Sequence, residues 1–134
     1  MSTSYSESFK IMEKAEEAIE AAEYNINGGF NLAATNRAYY ACYYSMSAML
    51  LTQEVYAKTH QGVRGKFSEL FIKTAIFPDF IANYIKTAFD LRQEADYDFD
   101  ADIPIEVVKE VVNNTKEFYE LALAYLNNLA NKKD

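Results

Sequence analysis

The sequence has little of what most folds and many activities require. Four glycines and two prolines in 134 residues leave scant turn chemistry, which disfavours a many-stranded β architecture. One cysteine, Cys42, excludes an internal disulfide framework, and its apolar setting points to a buried structural thiol. One histidine, His60, rules out multi-histidine metal sites and leaves no second imidazole as an acid–base partner. The N-terminus MSTSYSESFK contains no apolar secretion segment, so a cytoplasmic location is expected. The longest uncharged run, between Arg37 and Glu54, is sixteen residues and dense in Tyr and Ser. That is short of the ~20 apolar residues that span a bilayer, and a buried helix explains it better.

What is present is apolar and acidic. Half the chain is hydrophobic and 15% aromatic, too apolar for a disordered segment and enough for one domain over 1–134. The net charge of −7 argues against a general nucleic-acid coat. The charge is unevenly spread. Six glutamates fall in the first 27 residues, against Lys10 and Lys14. Residues 55–76 carry Lys58, Arg64, Lys66 and Lys73 against Glu69 alone. An anionic ligand would meet that stretch; the alternative is an ordinary solvated helix face.

Periodicity predicts an all-α, five-helix up-and-down bundle. Phe9, Met12, Ala15, Ile19, Ala22 and Ile26 recur at helical spacing, and Gly28-Gly29 stops the run. Asn31 is a candidate cap for a second helix over about 32–52. The middle of that helix is apolar or small on every side, which puts it at the centre of the bundle. Its tyrosines Tyr39, Tyr40, Tyr43 and Tyr44 imply polar groups nearby, because buried hydroxyls find partners. Thr59 is a plausible cap for a third helix with Val63, Phe67, Leu70 and Phe71 inward. Pro78 opens a fourth, patterned by Phe80, Ile81, Tyr84, Ile85, Ala88 and Leu91. The acidic run DYDFDAD ends it. Pro104 starts the fifth, striped by Ile105, Val108, Val112, Phe118, Ala122, Leu126 and Leu129.

A few polar residues stand out against this apolar pattern. Arg37 lies in the most apolar helix, where an arginine is costly unless paired, with Tyr40 and Tyr44 on its face. Arg92 and Asp96 are four apart and can meet, or Asp96 can bridge Arg92 to Arg37, with Tyr97 next to it. Such a set is either a ligand site or a buried ion-pair network fixing helix register. His60, in KTHQGV, opens a helix whose dipole favours neutral imidazole, and Gly62 permits close backbone approach. It either caps and packs, or joins Lys58, Arg64 and free N–H groups around a phosphate. Asp96, Asp98, Asp100 and Asp102 do not form a calcium loop: Ala101 and Val107 stand where glycine and bidentate glutamate belong. No metal site and no cofactor are expected. Ser45 and Ser47 have no histidine at a triad-like spacing.

The segments NRAYYACYYSMSAMLL, KTHQGV and LRQEADYDF, in that order, resemble the HEPN domain, most closely its small stand-alone prokaryotic members. The resemblance implies a five-helix-type bundle that commonly forms a homodimer and is often encoded beside a minimal nucleotidyltransferase as a toxin–antitoxin pair. Catalytic members are metal-independent ribonucleases marked by R-x4-6-H. Arg92 matches the motif arginine, but Tyr97, Asp98 and Phe99 occupy the histidine positions. Three readings follow. The first is a nucleotide- or RNA-binding module with little or no nuclease activity, its ligand held by Arg37, Tyr40, His60, Arg64, Arg92, Asp96 and Tyr97. The second is a ribonuclease using Arg92 with His60 or Tyr97. The third is a structural dimeric scaffold with a buried polar network.

Overall fold

A computed structural model describes residues 5–132; the tetrapeptide that begins the chain and its last two residues, which the single-domain reading includes, lie outside the described residues. Five α-helices and no strand occur among the described residues: α1 (Ser6–Asn27), α2 (Asn31–Leu51), α3 (His60–Phe67), α4 (Asp79–Tyr97) and α5 (Ile105–Asn131). Helix α2 is the hub, packing against all four others. Its small residues explain why. Ala34, Ala38, Ala41, Ser45 and Ala48 are at most 1% exposed, and they bring neighbouring backbones close. The approach to α1 is near enough for Ser8 Oγ to donate to the Ala48 carbonyl at 2.9 Å.

The breaks fall where glycine and proline put them. Gly28 ends α1 and Gly29 turns the chain at φ +83°, a conformation that favours glycine. Thr59 caps α3 by accepting from the Gly62 amide at 2.9 Å. Gly62 itself accommodates that cap, since a Cβ there would come 3.0 Å from Thr59 Oγ1. Pro78 and Pro104 immediately precede α4 and α5. No helix among the described residues is long and apolar enough to cross a membrane.

Three local expectations are corrected. Asn31 is not a cap but the first residue of α2, and its side chain donates to the Ile103 carbonyl at 3.1 Å. That bond ties the α1–α2 turn to the α4–α5 loop. Phe80 faces outward against Tyr84, 42% exposed, so the inner stripe of α4 is Ile81, Ile85 and Ala88. Beyond α3 the chain continues as a π-turn, Ser68–Ile72, with the Lys73 amide bonded to the Ser68 carbonyl. Phe71 lies inward as expected, where it stacks on Phe67 and meets Phe77. Cys42 is fully buried beside Thr115, and burial pushes its thiol up to about 12, as expected of a structural cysteine.

Candidate functional site

Two tyrosines of α2 carry the site. Tyr39 is fully buried and Tyr40 half-buried, their rings edge to face at 5.6 Å. Cations from three helices gather on these rings. The Arg37 guanidinium lies 5.0 Å from the Tyr40 centroid. That of Arg92, from α4, lies 5.1 Å from Tyr39 and 5.5 Å from Tyr40. Arg64, from α3, packs 3.8 Å over Phe89 and donates Nη1–H to the Tyr39 hydroxyl at 3.1 Å.

His60 completes the group. It stacks on Tyr43 at 4.1 Å with 16° between planes and meets Tyr40 edge-on at 5.5 Å. Its Nδ1 sits 3.0 Å from the Tyr39 hydroxyl. Burial lowers the His60 pKa from its ordinary value, and the positive charges of Arg92 and Arg64 lower it further. The imidazole is therefore neutral near pH 7. Burial raises the Tyr39 pKa, against the opposing pull of the Arg64 hydrogen bond, so its hydroxyl keeps its proton.

The charges in this group do not cancel. Arg92 Nε approaches Asp96 Oδ2 at 3.3 Å, an ion pair whose alignment leaves Nε buried without a hydrogen bond. Arg37 Nε and Nη2 instead donate to the neutral Asn36 Oδ1, at 3.1 and 3.0 Å. The alternative bridge from Asp96 to Arg37 does not occur among the described residues; Asn36 accepts from the Arg37 guanidinium instead. The two residues still line one open cleft, of about 360 Å³, with Asn25, Asn36 and Ala95. Three guanidiniums thus face one carboxylate in a protein of net charge −7.

Of the residues singled out from sequence, the structure brings together Arg37, Tyr40, His60, Arg64, Arg92 and Asp96. It does not bring Tyr97 to them: the side chain projects from the last turn of α4, 75% exposed. Among the described residues no cluster of three or more potential metal ligands occurs, and Asp98 instead accepts from the Asp100 amide. Two contributors were missed. Tyr39, noted only as a buried hydroxyl, is the bond that joins Arg64 to His60. Phe89 is the platform under Arg64 and a wall of an adjoining, mostly apolar cavity of about 220 Å³, which Arg64 also lines. The sequence had already grouped His60 with Arg64; the Tyr39 link between them crosses helices and has no spacing signal of its own.

An arginine–tyrosine–histidine cluster set on the central helix of an all-α bundle defines a small helical domain. Residues 10–126 match the HEPN domain, and the chain belongs to the HEPN family. It is 37% identical over 117 residues to a Methanocaldococcus jannaschii protein named "Putative toxin MJ0142", covering 87% of this chain and 80% of that protein. A second protein of that organism, "Putative toxin MJ0605", is 33% identical over 90 residues, 67% of each chain. A "UPF0332 protein" of Thermotoga maritima is 28% identical over 107 residues, 80% of this chain and 81% of the relative.

Proposed function

We propose that this HEPN-family chain is a nucleotide- or RNA-binding module with little or no nuclease activity, working beside a nucleotidyltransferase in a toxin–antitoxin-like pair. The observation that carries the reading is the uncompensated positive charge of the cluster. Arg37, Arg64 and Arg92 converge on Tyr39, Tyr40 and Phe89, and Asp96 is the one carboxylate paired with them among the described residues. Guanidinium groups held in this way suit phosphate oxygens, and the exposed edges of tyrosine rings suit bases. The names of the two Methanocaldococcus relatives favour a toxin-like role. Weak nuclease activity accords with Tyr97, Asp98 and Phe99 standing where the family's histidine would follow Arg92. Homodimerisation belongs to the same reading. Phe30, Tyr97 and Phe99 are more than half exposed on the α1–α2 turn and around the end of α4, the region that Asn31 ties together.

A second reading, a metal-independent ribonuclease using Arg92 and His60, is favoured by one observation: both residues flank the ring of Tyr39. Equilibrium binding of nucleoside monophosphates and short RNAs to wild type and Arg92→Ala separates the two. Wild type is expected to bind, and the variant at least about tenfold more weakly, the loss of one charge-assisted contact. No binding by either at millimolar nucleotide would overturn the module. RNA cleavage in EDTA that vanishes in Arg92→Ala would establish the ribonuclease instead.

A further inference from the structure

We propose that Tyr39 and Arg64 hold His60 in the Nε2–H tautomer, making it a neutral hydrogen-bond donor to a bound phosphate oxygen and denying it the lone pair of a base. The inference rests on the reading of the cluster as an anion site, and it follows from counting protons. Arginine can only donate, so the 3.1 Å contact from Arg64 Nη1 occupies a lone pair of the Tyr39 oxygen. The same oxygen lies 3.0 Å from His60 Nδ1. Either the tyrosine O–H donates to a bare Nδ1, or an Nδ1–H donates to the tyrosine.

In the second arrangement the Tyr39 oxygen accepts twice. Its own proton then points into the interior with no acceptor, because Tyr39 is 0% exposed and its hydroxyl makes no other hydrogen bond among the described residues. A buried donor without a partner is strongly disfavoured. In the first arrangement the buried Tyr39 proton has an acceptor: Arg64 donates to Tyr39, and Tyr39 donates to His60. Neutral imidazole carries one N–H, which must then be on Nε2.

The ring cannot readily turn to exchange its nitrogens. Tyr43 covers one face at 4.1 Å and Tyr40 abuts it edge-on. Double protonation is opposed by the nearby Arg92 and Arg64 charges. With Nδ1 engaged on Tyr39, Nε2 is left without a hydrogen bond among the described residues, free for a ligand. A proton-bearing Nε2 donates to a phosphate oxygen but cannot abstract a proton from a ribose 2′-hydroxyl. Tyr39 and Arg64 are thus positioning residues that favour binding over cleavage.

His60 is the sole histidine, so a long-range proton–nitrogen NMR spectrum of uniformly ¹⁵N-labelled protein at pH 8 shows a single imidazole. The expected result is an unprotonated-type Nδ1 and a protonated-type Nε2. Tyr39→Phe, which removes the donor, should convert this to a mixture of both tautomers. A protonated Nδ1 in the wild type would overturn the proposal, as would an unchanged tautomer in Tyr39→Phe. Adding adenosine monophosphate should shift Nε2 and leave Nδ1 unprotonated; saturation with Nε2 unmoved would also overturn it. Failure of the nucleotide to bind at all would overturn the anion-site reading, and with it the role given to the donor. The ligand-free spectrum would still decide the tautomer.

Discussion

Two aromatic clusters occupy this bundle, built at similar spacings and differing in what their ring edges carry. Phe67, Phe71, Phe77, Phe118 and Tyr125 pack with centroids 5.3–6.0 Å apart. Tyr39, Tyr40, Tyr43, Tyr44 and His60 pack at 4.1–6.2 Å. The first is almost pure hydrocarbon: its four phenylalanines are at most 3% exposed, and among the described residues no cation stands over them. The second grades from the fully buried Tyr39 to half-buried rings and attracts three guanidiniums. Ring packing alone therefore does not mark a site. Hydroxyls and cations at the ring edges do.

The largest expected effect tests the hydrocarbon side. Phe118 is completely buried against Phe67 and Phe77, so Phe118→Ala should cost about 3–5 kcal/mol in a denaturant titration. Nucleotide affinity of the fraction that remains folded should not change. If Phe118→Ala instead altered affinity while leaving stability intact, the division between the clusters would fail.

A smaller effect sharpens the polar side. A buried ion-pair network, one of the two readings of this set, would make neutralising Asp96 costly. The pair is more open than that, with side chains of Arg92 and Asp96 20% and 34% exposed. Asp96→Asn should therefore change stability by no more than about 1 kcal/mol. It removes the one carboxylate that competes with an anion for Arg92. Affinity for a nucleoside monophosphate should tighten by about 1 kcal/mol, roughly fivefold. Weaker binding would mean that Asp96 serves to orient Arg92.

The parts legible in the sequence were those set by local rules. Helical spacing, Gly28-Gly29, Pro78, Pro104 and the Thr59 cap each act within a few residues, and the helices end beside them. The π-turn at Ser68–Ile72 was not legible, because Phe67 and Phe71 stand at ordinary α-helical spacing and no residue there marks a change of pitch. The site divides in the same way. The arginines, His60 and Asp96 stood out as polar groups within or beside apolar helices. That Arg37 turns to Asn36, and that Tyr39 joins Arg64 to His60, depends on crossings between helices that no local spacing encodes. Tyr97 follows Asp96 directly, and one step along a helix turns a side chain by about 100°, enough to carry it off the shared face.

The smallest effect concerns protons. His60 has its pKa lowered in the folded protein, by burial first and then by Arg92 and Arg64, whereas the unfolded chain returns it to about 6.5. Below that value the unfolded state binds more protons than the folded one, so His60 makes stability rise with pH in this window. Its contribution is complete above about pH 6.5 and is lost as pH falls toward the lowered folded value. Other groups also respond to acid, so the useful quantity is the difference from His60→Gln, followed from pH 7.5 to 5. Wild type should lose stability relative to this variant on acidification. A bound phosphate, by supplying the opposite charge, should shrink the loss or reverse it. If wild type gained stability instead, His60 would be carrying a proton favoured by its surroundings. The tyrosine cluster would then be less cationic than three guanidiniums make it, and its contrast with the phenylalanine cluster would narrow to hydroxyls alone.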